Sequence, residues 1–123
     1  MKTLDLLRRI AEIEFTVLVV QSDILDSKLR ILLLDRSYVD VWVSRKLTGR
    51  FGFHWERSHI DGSIYRYDNF PDVEWSQVST FPYHFHDGNQ KKVVSASFAP
   101  DLEQGFREFM EFVKRTIESK ESN

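Results

Sequence analysis

The sequence predicts an α+β domain: a twisted antiparallel meander of five to six strands, with an N-terminal and a C-terminal helix packed on one face. Three observations predict it. Apolar residues recur at helical spacing near both ends of the chain. Between those ends the apolar period switches to two. The turns that separate the middle runs are too short for crossovers, so neighbouring strands must be antiparallel. With 123 residues the chain is one domain over 1–123, and such a domain buries roughly two-thirds of its unfolded surface. No internal repeat, low-complexity segment or linker divides it.

The elements follow in order. Thr3 can cap a helix over 3–13, where Leu4, Leu7 and Ala11, joined by Leu6, Ile10 and Ile13, form an apolar face. Phe15 to Val20 is a nearly continuous β-prone run and predicts a strand over about 14–21, covered on both faces. Asp23 to Ser27 reads as a turn. A second strand over 28–34 sets Leu29, Ile31 and Leu33 to one side. After Asp35-Arg36-Ser37, a third over 38–45 alternates Val39, Val41 and Val43 with Asp40, Trp42 and Ser44.

Thr48-Gly49 turns the chain into a strand over 50–58. Phe51, Phe53, Trp55 and Arg57 share one face of it; Gly52, His54, Glu56 and Ser58 share the other. Asp61-Gly62 predicts a hairpin into a strand over 63–69. A two-residue turn there sets Ile60 opposite Ser63, His54 opposite Asn69 and Glu56 opposite Tyr67. Pro71 ends that strand, because proline cannot donate to the ladder. Residues 73–92 read as irregular, with Pro82 and Gly88 as breakers, and 93–98 as a last strand. Pro100-Asp101 opens a helix over 100–119, with Glu103 placed to suit its dipole. Leu102, Phe106, Phe109, Val113 and Thr116, widened by Phe112 and Ile117, make its core-facing stripe. The tail Glu121–Asn123 is expected to fray.

Composition excludes several classes. The chain has no cysteine, hence no disulfide, thiolate nucleophile or Cys-based zinc site, a composition that suits a reducing cytoplasm. Charges enter the N-terminus too early for a signal peptide, and no run approaches the ~20 apolar residues of a membrane span. A net charge of −2 makes no case for general nucleic-acid binding. Arg45, Lys46 and Arg50 nevertheless gather around one turn, with Lys28 and Arg30 nearby in sequence. No P-loop, GxGxxG, GxSxG, HExxH or EF-hand pattern occurs.

Chemistry concentrates between Ile64 and Gly88. On an extended backbone, His84 and His86 point to one face about 7 Å apart. Imidazoles titrate near neutral pH, so the pair suits a general base and acid, or zinc ligation with Asp87 or Asp68 as a third ligand. Arg66 and Asp68 also share a face. The planar guanidinium fits a phosphate, while the plainer reading is a same-strand ion pair. Asn69 stands before Phe70-Pro71, where its side chain can order a turn. His54 is drawn toward the same corner, and His59 reads as surface. Tyr65, Tyr67, Phe70, Trp75, Phe81, Tyr83 and Phe85 offer stacking faces for bases or, more plainly, sheet packing.

The stretch Tyr65-Arg66-Tyr67-Asp68-Asn69-Phe70-Pro71, followed by Thr80-Phe81-Pro82-Tyr83-His84-Phe85-His86, resembles the TumE-type toxins of prokaryotic toxin–antitoxin systems. That family carries an Arg-x-Asp-Asn-x-Pro-His stretch and then Phe-Pro-His-His-x-His. The resemblance implies a site of Arg66, Asp68, Asn69, His84 and His86. It departs at Asp72 and Tyr83, where the family pattern has histidines. It further implies a toxin with a cognate antitoxin partner. Composition gives the cytoplasmic, membrane-free expectation. Analogy with small toxins that pack a helix on an antiparallel sheet, many of them ribonucleases, adds the expectation of a metal-independent ribonuclease acting on RNA with no cofactor. Two alternatives stand beside that expectation: a non-catalytic module that binds an antitoxin or other protein, and a metal-dependent hydrolase built on His84, His86 and a carboxylate.

Overall fold

A computed structural model of the protein describes residues 2–121. Its first helix, α1 (Lys2–Glu14), buries Leu4, Leu7, Ile10 and Ala11, which recur every three or four positions. Leu6 and Ile13 lie off that stripe and are exposed. The helix begins at Lys2, so Thr3 sits inside its first turn rather than capping it.

Strands then follow in simple meander order: β1 (Val19–Leu25), β2 (Lys28–Leu33), β3 (Tyr38–Val43), β4 (Phe51–Arg57), β5 (Ser63–Asp68), β6 (His84–Gly88) and β7 (Val93–Ser95). A one-turn helix, α2 (Ser58–Asp61), joins β4 to β5, and α3 (Leu102–Glu121) closes the chain. Asp101 caps α3, its Oδ2 accepting from Gln104 N at 2.9 Å. No helix among the described residues is long and apolar enough to cross a membrane.

The α+β meander agrees with the sequence, but it has seven strands rather than five to six. The added strand is β6, inside the segment expected to be irregular. Its His-Phe-His alternation lacks β-branched residues and is bracketed by Pro82 and Gly88, so propensity does not mark it. Pairing with β5 makes it a strand, through Arg66↔His86, Tyr67↔Phe85 and Asp68↔His84. The last strand is shorter than expected, ending at Ser95.

The first strand also moves. Phe15 to Leu18 continue past α1 as turns, Leu18 N and Val19 N both donating to Phe15 O at 2.9 and 3.0 Å. That run therefore buries Phe15 and Leu18 in the core instead of forming a strand covered on both faces. β1 starts at Val19 as an edge strand with Val20 exposed, and the turn after it shrinks to Asp26-Ser27. Between β4 and β5, α2 consumes extra residues. Arg57 rather than Ile60 stands opposite Ser63, so His54 faces Arg66 and Glu56 faces Ile64. Glu121, the first residue of the tail expected to fray, instead ends α3; Ser122 and Asn123 lie outside the described residues.

Both helices pack on one side of the sheet. That side buries Leu29, Ile31, Val39, Val41, Phe53, Trp55 and Tyr67 against Phe106, Phe109, Met110 and Val113 of α3. The alternate residues point to the helix-free side: Arg30, Asp40, Trp42, Gly52, His54, Arg66, Asp68, His84 and His86. The β5–β6 connection folds over part of that side. It places Trp75 near both imidazoles, with ring centroids 6.4 Å from His84 and 5.6 Å from His86.

Candidate functional site

On the helix-free side, Arg66, Asp68, His84 and His86 line one cavity of about 240 Å³, together with Phe70, Asp72, Trp75 and Gln90. Strand pairing explains the convergence. Arg66 and Asp68 are two apart on β5, His84 and His86 two apart on β6, and the register sets Asp68 opposite His84 and Arg66 opposite His86. The two imidazoles stand with ring centroids 5.1 Å apart. Asp68, His84 and His86 are each no more than 3% exposed, so the cavity wall is polar and largely withdrawn from water.

Hydrogen bonds fix which atoms face the cavity. His84 Nδ1 lies 2.9 Å from Pro82 O, and His86 Nδ1 lies 2.9 Å from Gln90 O. A carbonyl oxygen only accepts, so each Nδ1 carries a hydrogen and donates it. Each Nε2 is then the atom left for chemistry. His84 Nε2 lies 3.3 Å from Asp68 Oδ1, an ion pair whenever that imidazole holds its second proton. Asp68 is held from two further directions: Arg66 Nε donates to Oδ2 at 2.8 Å, and Phe70 N donates to Oδ1 at 2.9 Å. Burial, reinforced by the His84 and Arg66 charges and opposed by the bond to Gln90 O and the Asp68 charge, holds the His86 imidazole below the ordinary 6.5.

The same atoms suit a cation. Asp68, His84 and His86 each offer a ligand atom, and these lie within 4.8 Å of one another. A carbonyl behind each Nδ1–H is the arrangement that fixes a metal-ligating histidine in its Nε2 tautomer. Two imidazoles and one carboxylate make a three-ligand set with room for water or substrate.

Asn69 does not join the cavity. Its Oδ1 accepts from Phe51 N at 2.9 Å and its Nδ2 donates to Gly49 O at 2.6 Å. Its own carbonyl accepts from Arg50 Nη1 at 2.6 Å. The side chain thus clamps the end of β5 to the start of β4, which positions Asp68 next to it. His54 faces the same side of the sheet but pairs with Glu56, at 3.0 Å from Nε2 to Oε1. Burial pushes the Glu56 carboxyl up, yet bonds from Ser58 and His54 outweigh it and hold it at about 2. His59 bonds Arg36 O on the surface, as the sequence suggested.

The two departures from the family pattern are not equivalent. Asp72 lines the cavity and also accepts from Glu74 N at 3.0 Å, so that position keeps a potential acid or ligand. Tyr83 points the other way. Its ring neighbours Phe51 and Tyr67 in the core, and its hydroxyl donates to Pro100 O at 3.1 Å. A tyrosine there takes nothing from the cavity wall. Sequence reasoning missed Gln90, which lies beyond β6, lines the cavity and accepts from His86 Nδ1 at its carbonyl.

A family model described as "Toxin TumE" matches residues 2–117. No curated protein and no solved structure matches the chain.

Proposed function

We propose that this chain, which belongs to the TumE toxin family and so has a toxin role in a toxin–antitoxin system, acts by cleaving RNA at the cavity. The observation that carries this reading is the convergence of Arg66, Asp68 and two imidazole Nε2 atoms on one polar, largely buried wall. Arg66, part-exposed and held by Asp68, binds the scissile phosphate through its remaining N–H groups. His86, kept neutral by burial, takes the proton of the attacking 2′-hydroxyl as that oxygen bonds to phosphorus. His84, protonated and paired with Asp68, gives its proton to the departing 5′-oxygen as the old P–O bond breaks. Asp68 orients His84, and Asn69 positions Asp68.

One observation favours a second reading. A neutral His84 with Nδ1–H bonded to Pro82 turns its Nε2 lone pair toward the Asp68 carboxylate, an arrangement that needs a proton or a cation between them. A divalent ion held by Asp68, His84 and His86 would supply that charge and polarise a phosphate or water. The two readings separate in one assay. Purified protein is incubated with single-stranded RNA in EDTA and, separately, with added zinc or manganese, beside a His84→Ala, His86→Ala double variant. Cleavage in EDTA, lost in the double variant, supports acid–base catalysis. Cleavage only with metal supports the second reading. Intact RNA in every arm overturns both. Partner binding is expected at the protein level: a cognate antitoxin should suppress the activity.

A further inference from the structure

Next to the cavity, the helix-free face carries a feature that the proposed chemistry does not use. Trp42 on β3 stands opposite Gly52 on β4. The indole lies across that glycine so closely that a Cβ at Gly52 would stand 2.1 Å from Trp42 Cζ2. The glycine is therefore what lets the ring lie flat on the strand. The Phe70 ring meets Trp42 with centroids 4.8 Å apart, and the Arg66 guanidinium lies 5.9 Å from the indole centroid. Together they border a groove of about 700 Å³ that Lys46, Arg45 and Leu47 also line. Its walls are mostly apolar and its charged residues are cationic. Among the described residues that line it, none is acidic. Arg66 and Phe70 belong to both the groove and the cavity, so the two are continuous.

We propose that this groove is the base-stacking subsite for single-stranded RNA. The nucleotide flanking the scissile phosphate lays its base against Trp42 and Phe70, and the next phosphate meets Lys46. The proposal rests on the RNA-cleavage reading of the cavity. Packing alone accounts for an indole covering a glycine. It does not account for an apolar wall edged by cations and opening onto Arg66. Charge selects a polyanion, and the aromatic wall selects one that carries exposed π-faces, which duplex RNA withholds by pairing and stacking. Stacking tolerates any base, so the subsite implies weak sequence preference.

The test uses an RNA oligonucleotide with 2′-O-methyl groups, which cannot be cleaved by attack of its own 2′-oxygen, labelled for fluorescence anisotropy. Wild type is expected to bind it more tightly than the matching duplex. Trp42→Leu should weaken binding roughly tenfold, and Trp42→Phe by clearly less, in line with the cost of losing one stacked base. Lys46→Gln should lower the salt slope by about one. Circular dichroism checks folding, and where Trp42→Leu fails to fold, the exposed Phe70→Leu carries the same expectation. The subsite is overturned by a folded Trp42→Leu that binds like wild type, by equal or tighter duplex binding, or by no binding of the oligonucleotide. Any of these leaves the groove to a different occupant, such as an apolar peptide. Because the probe cannot be cut, Trp42-dependent binding supports the subsite even if RNA survives the cleavage assay. Cleavage with an unchanged KM in Trp42→Leu rejects the subsite and leaves the cavity reading standing.

Discussion

Arg57 and Arg66, two of the arginines paired with carboxylates, lie on opposite sides of one sheet. Arg57, on the helix side, is 4% exposed. It pairs with Asp35 through Nη1 and with Asp61 through Nε at 3.2 Å, and its guanidinium lies 4.9 Å from the Trp55 ring. Its acids are engaged in turn: Ser37 donates to Asp35, Trp55 Nε1 donates to Ser37 Oγ at 2.8 Å, and Lys120 reaches Asp61 at 3.1 Å. Arg66, on the helix-free side, is bound to Asp68, yet it opens on a cavity with two imidazole nitrogens aimed into it. The first cluster is closed by its own partners and pins β4, α2 and the end of α3 together. The second leaves donors and acceptors facing space. Buried charge alone does not mark a site; incompletely answered buried charge does.

That contrast can be broken by mutation. The largest effect is expected at the open cluster: Asp68→Ala or His84→Ala should lower RNA cleavage roughly 10²–10⁴-fold, read as kcat/KM on purified protein, with a folded circular dichroism spectrum. Arg57→Met should do the reverse. It takes the buried guanidinium away from half-buried Asp35 and exposed Asp61 and should cost about 1–3 kcal/mol in a urea titration, while activity per folded molecule stays at wild type. Full stability with lost activity in Arg57→Met would reverse the assignment of the two clusters. Asn69→Ala comes next. Leaving Phe51 N and Gly49 O unanswered should cost about 1–3 kcal/mol, with a smaller drop in activity through displaced Asp68.

The smallest effect separates the clusters by pH. The His86 imidazole is held below 6.5 in the fold. Below that value the unfolded chain binds the extra proton first, so stability should fall as pH drops from about 6.5 toward the folded value. Asp35 and Asp61 are held below their ordinary 3.8, where the effect of burial is outweighed by bonds from Ser37 and Arg57 and from Ser63 and Lys120. Their contribution is present above about 3.8 and lost only below it. A His86→Gln variant should flatten melting temperature against pH between 5 and about 6.5 and leave the loss below pH 4 unchanged.

Much of this was legible in the chain. Leu29, Ile31 and Leu33, the valines of β3 and the aromatics of β4 alternate as strands must, and the α3 stripe of Phe106, Phe109 and Val113 is buried as its spacing required. Arg66, Asp68, His84 and His86 also meet where same-face spacing on extended backbone suggested. What failed was pairing. A helical turn at Ser58–Asp61 looks in sequence like part of a tight hairpin, and it shifted the partner of His54 from Asn69 to Arg66. Asn69 entered the site through the family resemblance alone, beside a plainer reading as a turn-ordering amide, and that amide is spent on the backbone of Phe51 and Gly49. Trp42 over Gly52 was invisible, because nothing local tells a glycine that it faces an indole ten residues back. The histidines missing at 72 and 83 seemed equal losses until the backbone turned Tyr83 into the core.

If the open cluster carries toxicity and the closed one the fold, growth arrest must depend on the charge of Asp68. Induced expression of Asp68→Asn, at soluble levels matched to wild type, measures that dependence. The substitution keeps size and most hydrogen bonding and removes the charge that answers Arg66 and His84. Arrest is expected to be lost. Arrest as strong as that of wild type would contradict that dependence.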